Sequence, residues 1–118
     1  MNKENWKIEL NKALAEEGII DNQFHKFMEG KITKLPLKVE EFGWAVFPIT
    51  NKDGILTDIR MVVPIIYDEK SLCVNIHEYT HAYEVYFSLG KKYIWNVEES
   101  EQKAQDAEKR YLKRKNKR

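Results

Sequence analysis

The chain has 118 residues, of which 42% are apolar and 33% charged. That length suits one domain with a modest core. Twenty basic side chains face nineteen acidic ones, so no global field points to nucleic acid. Cys73 is the only cysteine, which excludes an internal disulfide. The polar start Met1 to Asn5 has no apolar run behind it, so no secretory signal is expected. Apolar runs such as Met61 to Tyr67 are too short to span a bilayer. A cytoplasmic, soluble protein without a membrane partner is the expectation.

Residues 4–17 space Trp6, Leu10 and Leu14 at helical intervals, with Ile8, Ala13 and Ala15 between them, and Gly18 ends the pattern. A second short helix is expected over 22–30, closed by Gly30, before Pro36 breaks the pattern. Gly43 to Ile49 reads as a strand rich in aromatic and β-branched residues. Asn51-Lys52-Asp53-Gly54 then predicts a hairpin turn with Asp-Gly at positive φ. Ile55 to Ile66 reads as the partner strand. Pro48 and Pro64 cannot donate to a ladder, which predicts edge positions or strand ends.

From about Asp68 the pattern turns helical and runs to Leu89, with Gly90 placed to follow the helix end. Asn96 and Glu99 have the spacing of a capping box. A final helix is expected from Val97 to about Lys113, then a frayed basic tail over 113–118. The fold class expected is α+β, with N-terminal helices, a small antiparallel sheet and two C-terminal helices. Residues 1–112 would form the domain.

Residues 77–81 read His-Glu-Tyr-Thr-His. On a helix, residues four apart share a face, so His77 and His81 can direct ring nitrogens at one cation. Glu78 sits one step round, within reach of a water activated by that cation. This is the H-E-x-x-H pattern of zinc metalloproteases. Stepping about 100° per residue puts Leu72, Ile76, Tyr79, Tyr83 and Phe87 on the expected core face. The histidines lie to one side, with Val74, Val85 and Ser88.

A catalytic Zn²⁺ needs three protein ligands and one open position. The metzincin extension of the motif requires Gly and His where this chain has Glu84 and Phe87, so that class is excluded. The remaining option is a glutamate from the last helix. Its apolar stripe is Val97, Ala104, Ala107, Tyr111 and Leu112. Glu101 and Glu108 fall within it, Glu98 lies at its margin and Glu99 opposite. A carboxylate on a buried stripe is costly unless paired or metal-bound. Glu101 is therefore the expected third ligand, followed by Glu108 and then Glu98.

His77-Glu78-Tyr79-Thr80-His81-Ala82, followed by Tyr86 and Gly90, resembles the active-site helix of thermolysin-like gluzincins. Glu101-Gln102-Lys103-Ala104 resembles the E-x-x-A segment of their second helix. The small size is similar to minimal single-domain gluzincins and to the catalytic core of the ImmA/IrrE group. The resemblance covers roughly residues 72–112 and implies a zincin-like metallopeptidase acting on a protein or peptide, with Zn²⁺ as cofactor. It implies that Glu101 binds the metal and that Ala104 lets the helices approach closely. Many members carry an Asp one residue after that Ala, bonded to a ligand histidine. This chain has Gln105 there and Asp106 next. The family also binds substrate as an extra strand on the rim of the sheet, and a proline on such a rim would limit pairing.

In such an enzyme the metal lowers the pKa of a water from about 15.7 toward about 7, and Glu78 is the general base. The oxyanion-stabilising role stays open among Tyr83, Tyr86, Tyr93, Tyr111 and His25. Glu84 reads as a carboxylate near a ligand imidazole or in solvent, with metal ligation the alternative. Cys73 reads as a small buried hydrophobe, with a blocking thiolate ligand the alternative. His25 reads as structural, and Trp6, Trp44 and Trp95 as core anchors. Seven of the last ten residues are basic. They read as a solvated helix end whose cations suit the macrodipole, with nucleic acid or acidic lipid the alternative. Two rivals to the enzyme stand: a zinc-stapled domain without catalysis, and a nucleic-acid module using the tail.

Overall fold

The computed structural model describes residues 3–116. Helix α1 (Lys3–Glu16) buries Trp6, Leu10, Ala13 and Leu14, and leaves Ile8 in solvent. Gly18, at φ 78°, turns the chain away after the helix. Asp21 caps α2 (Asn22–Met28) by accepting from the N–H groups of Gln23 and Phe24. Strand β1 (Ile32–Leu35) follows. A single 3-10 turn at Val39–Glu41 leads into β2 (Ala45–Thr50) and β3 (Leu56–Pro64).

The three strands form one sheet in the order β1-β3-β2. β2 pairs with β3 antiparallel, as expected of a hairpin, but β1 runs parallel to β3, from Ile32 opposite Met61 to Leu35 opposite Pro64. The small antiparallel sheet expected from sequence is therefore a mixed one. Ile-Thr-Lys-Leu is too short and too polar to signal a strand; its place beside β3 is set by tertiary packing. Pro48 lies on the edge strand β2 and Pro64 closes β3, where a missing N–H costs little. In the loop between them only Gly54 takes a positive φ, 78°. Asp53 does not, because the connection is longer than a two-residue turn. Asn51 organises it instead, its Oδ1 accepting from the N–H groups of Asp53 and Ile55.

Central β3 directs Ile59, Met61 and Val63 into the core, against α3 (Glu69–Tyr86). Asp68 and Ser71 start α3 with reciprocal capping bonds: the Ser71 N–H donates to Asp68 Oδ1 at 2.8 Å, and the Asp68 N–H donates to Ser71 Oγ at 3.0 Å. The helix stops at Tyr86, three residues before the expected end, and Phe87 is exposed rather than part of the core face. Val85, expected beside the histidines, is buried.

Helix α4 (Val97–Asn116) runs antiparallel to α3. Asn96 caps it by accepting from the Glu99 N–H at 3.1 Å. Its buried stripe is Ser100, Ala104, Ala107 and Tyr111. Ser100, Ala104 and Ala107 are small, which lets the helix axes come close. Val97, expected on that stripe, is exposed.

The frayed tail is not observed over 113–116, which continue α4; residues 117 and 118 lie outside the described residues. The chain's own acids hold three of the cations of α4. Arg114 pairs with Glu16, Lys115 with Glu69 at 2.8 Å, and Arg110 with Glu17 at 2.6 Å. No helix among the described residues is long and apolar enough to cross a membrane.

Candidate metal centre

Helices α3 and α4 build the site together. His77 and His81 are one turn apart on α3, and their Nε2 atoms lie 3.1 Å from each other. Glu101 enters from α4 and meets both rings, with Oε1 3.0 Å from His77 Nε2 and Oε2 3.1 Å from His81 Nε2. Four-coordinate zinc-type sites with bonds of about 2.0–2.1 Å separate their ligand atoms by about 3.3–3.4 Å. The two nitrogens lie slightly closer than that, and the carboxylate straddles them with one oxygen on each ring, so the three side chains form a triangle.

The outer ring nitrogens are held as well. His77 Nδ1 lies 2.8 Å from Glu108 Oε2. An ionised carboxylate only accepts, so His77 donates from Nδ1 to Glu108; its Nε2, which faces Glu101, offers a lone pair to a cation once the ring gives up its second proton. His81 Nδ1 lies 2.7 Å from Ser100 Oγ, and Ser100 is 1% exposed. The tautomer that donates Nδ1–H to Ser100 likewise frees Nε2. Each imidazole is aimed from behind by α4, as metal-ligating histidines commonly are.

Glu78 is 6% exposed and accepts no hydrogen bond from any described side chain. It lines a cleft of about 320 Å³ with Trp44, Val74, Gln105 and the triangle residues His77 and Glu101. His77, Glu78 and His81 form a group that could hold a metal ion, their ligand atoms all within 4.8 Å of one another. Of the two carboxylates, Glu101 is the one that touches both ring nitrogens. Glu78 stands beside the triangle.

Electrostatics follow the packing. Burial alone lowers the His77 pKa, but the bonded Glu108 and the charges of Glu78 and Glu101 override it and raise it to about 9. Burial lowers that of His81, and His77 adds to the shift. Burial raises the Glu78 carboxyl to about 7; Glu101 and Glu108 also raise it, against the opposing charge of His77.

The remaining sequence candidates separate by position. Glu108 orients His77 and does not join the triangle. It occupies the role expected near Gln105 and Asp106, one turn later. Gln105 reaches Glu101 at 3.5 Å, and Asp106 accepts from Gln102. Glu98 is exposed on α4, away from both rings. Glu84 pairs with Lys103 at 3.5 Å. Cys73 is buried, its thiol pushed up to about 11 by burial and by Glu108, and it stays outside the cluster.

None of the five oxyanion candidates lines the cleft. Tyr83 and Tyr86 pack on Phe24, Tyr111 bonds Glu9, Tyr93 Oη is buried, and His25 Nε2 donates to the Ile19 carbonyl.

Two tryptophans read as core anchors belong to the site instead. Trp44 walls the cleft, and Trp95 meets His81 edge-on at 5.9 Å. Only Trp6 is fully in the core. Ser100 was not singled out in the sequence. Its position four residues before Ala104, on the buried stripe, was the available signal.

Comparison of the chain with protein-family profiles, with curated proteins and with solved structures finds no match in any of the three.

Proposed function

We propose that the chain is a zinc-dependent peptidase with a gluzincin arrangement on a zincin-like α+β fold. In this reading His77, His81 and Glu101 hold the ion and Glu78 is the general base. The observation that carries it is the triangle of two Nε2 atoms and one carboxylate with sides of 3.0–3.1 Å. Two imidazoles and one carboxylate suit Zn²⁺ and leave a coordination position over.

Bound there, zinc would polarise a substrate carbonyl and acidify a water near neutral pH. The chain's own groups do the rest. Glu78, its carboxyl raised by burial, takes a proton from the water and returns it to the leaving amine. Glu108 and Ser100 keep both imidazoles in the ligating tautomer. Trp44 and Val74 give the cleft an apolar wall against which a substrate side chain can pack. β2 is the edge strand nearest that wall and offers a rim for an extended peptide, with one donor missing at Pro48.

Structural zinc sites close with four protein ligands. Cys73 lies outside the triangle and Glu84 is engaged by Lys103, which supports an open position over a zinc staple. The nucleic-acid reading loses Arg110, Arg114 and Lys115 to internal ion pairs.

The test combines metal analysis with cleavage of a mixed peptide library. The purified chain should carry about one zinc and cut peptides. Glu78→Gln should keep the zinc and lose cleavage. A wild-type chain that takes up no zinc, or a Glu78→Gln variant that still cuts, overturns the proposal.

A further inference from the structure

A second cavity, of about 380 Å³, opens where α1 crosses the C-terminal ends of the parallel strands β1 and β3. It reaches α3 at Asn75, about 200° round that helix from His77. Its walls are Trp6, Leu10, Pro64, Ile65 and Ile66. Among the described residues its charged lining is Lys7 and Lys34, with no acid. Neither lysine forms an ion pair among the described residues.

Asn75 supplies the one neutral polar side chain, and it is 2% exposed. Its Nδ2 donates to the carbonyls of Pro64 and Ser71, each at 3.0 Å. Both partners are acceptors, so the amide cannot be flipped, and both of its hydrogens are used. Oδ1 is left as an acceptor that receives nothing from any described residue. It is not sealed off in the interior, and the residue faces the cavity. With both N–H groups engaged, the amide oxygen can accept an N–H or O–H from a molecule in the cavity.

We propose that this cavity binds a small aromatic monocarboxylate that carries an N–H or O–H donor. The apolar walls take the ring, Lys7 and Lys34 take the carboxylate, and Asn75 Oδ1 takes the donor. The volume falls in the range of about 300–1,000 Å³ typical of small-molecule sites, at the end that suits a one- or two-ring molecule. All-cationic charge at the opening selects an anion and disfavours an amine. The site stands apart from the metal centre and does not depend on the peptidase reading.

Indole-3-acetate is the probe, titrated into the full chain by calorimetry. Two relatives each lack one group: 3-methylindole has no carboxylate, and 1-methylindole-3-acetate has no N–H. Saturable binding of one molecule per chain is expected, weakened at least about fivefold for each relative. The double variant Lys7→Glu, Lys34→Glu should weaken indole-3-acetate at least about tenfold, whereas Lys52→Glu, on the distant hairpin loop, should not. All three lysines are exposed, so these variants should fold, which circular dichroism checks. Absence of saturable heat at low-millimolar probe overturns the proposal. So does binding that the double variant leaves unchanged, or that both relatives match.

Discussion

Glu108 accepts a 2.8 Å hydrogen bond from His77 Nδ1 across 31 residues of sequence. The bond ties the last helix to the first histidine of the motif. It fixes the imidazole tautomer and raises the ring's affinity for a proton. The same electron donation should strengthen the ring as a metal ligand. Replacing Glu108 by Ala should therefore weaken zinc binding by about 10–100-fold. In the metal-free variant the His77 pKa should fall from about 9 toward its ordinary value. Chelator competition and NMR titration of the ring measure the two effects. Zinc affinity equal to wild type would show that Glu108 only packs beside the site.

Ser100 performs the matching task for His81. In Ser100→Ala the buried Nδ1 of His81 loses its hydrogen-bond partner, 2.7 Å away in the native chain. A buried polar group without a partner costs about 1–3 kcal/mol. Denaturant midpoints of the metal-free protein should fall accordingly, and zinc affinity should drop with them. Unchanged values on both counts would exclude a positioning role.

The third-ligand assignment separates two neighbouring glutamates. Glu101→Ala should remove most zinc occupancy, because Glu101 is the side chain within 3.0–3.1 Å of both Nε2 atoms. Glu99→Ala should leave occupancy intact, since Glu99 faces Lys103 and solvent. Equal metal content in the two variants after dialysis would count against the triangle as the binding site.

Ala104 is fully buried between the two helices that share the site. Leucine there adds three heavy atoms where no space exists, at a cost of about 1–3 kcal/mol or displacement of α4. Displacing α4 moves Glu101 and Glu108 away from α3. Ala104→Leu should thus lower both the melting temperature and zinc affinity, while Gln102→Leu on the exposed face of α4 changes neither. Retained affinity in Ala104→Leu would mean that the site does not require this helix separation.

Stability of the metal-free chain should depend on pH with a defined sign. His77 holds its proton more tightly folded than unfolded, with a pKa raised from 6.5 to about 9. Glu78 shifts the same way, from 4.5 to about 7. For both groups the folded state binds more protons than the unfolded one, so stability falls as pH rises through the folded value. Between pH 6.5 and 9 the chelated protein should lose stability, on the order of 1–3 kcal/mol. With zinc in excess the trend should flatten or reverse, because the ion displaces the His77 proton more easily as pH rises. Urea denaturation with and without chelator gives both slopes. A rise in the stability of the chelated protein over that window would contradict the charge assignment.

Local chemistry was readable without coordinates wherever neighbours in sequence are also neighbours in space. The turn spacing of His77 and His81, the Asp68 start of α3, the glycines that follow α1 and α2 and the edge position of Pro48 all follow from backbone geometry within a few residues; Gly90 lies beyond the Phe87 cap of α3. Glu101 does meet both rings, but its side chain is 45% exposed and lies off the buried stripe, so the burial expected of it from sequence does not hold. Tertiary structure alone decided what crosses between elements. It joined β1 in parallel to β3, continued α4 through the basic segment onto Glu16, Glu17 and Glu69, and brought Glu108 and Ser100 behind the two rings. It also moved Trp44 and Trp95 from the expected core to the site. No periodicity encodes such contacts, because they depend on how closely α3 and α4 approach and on their relative register, which the packing of Ala104 and Ala107 sets.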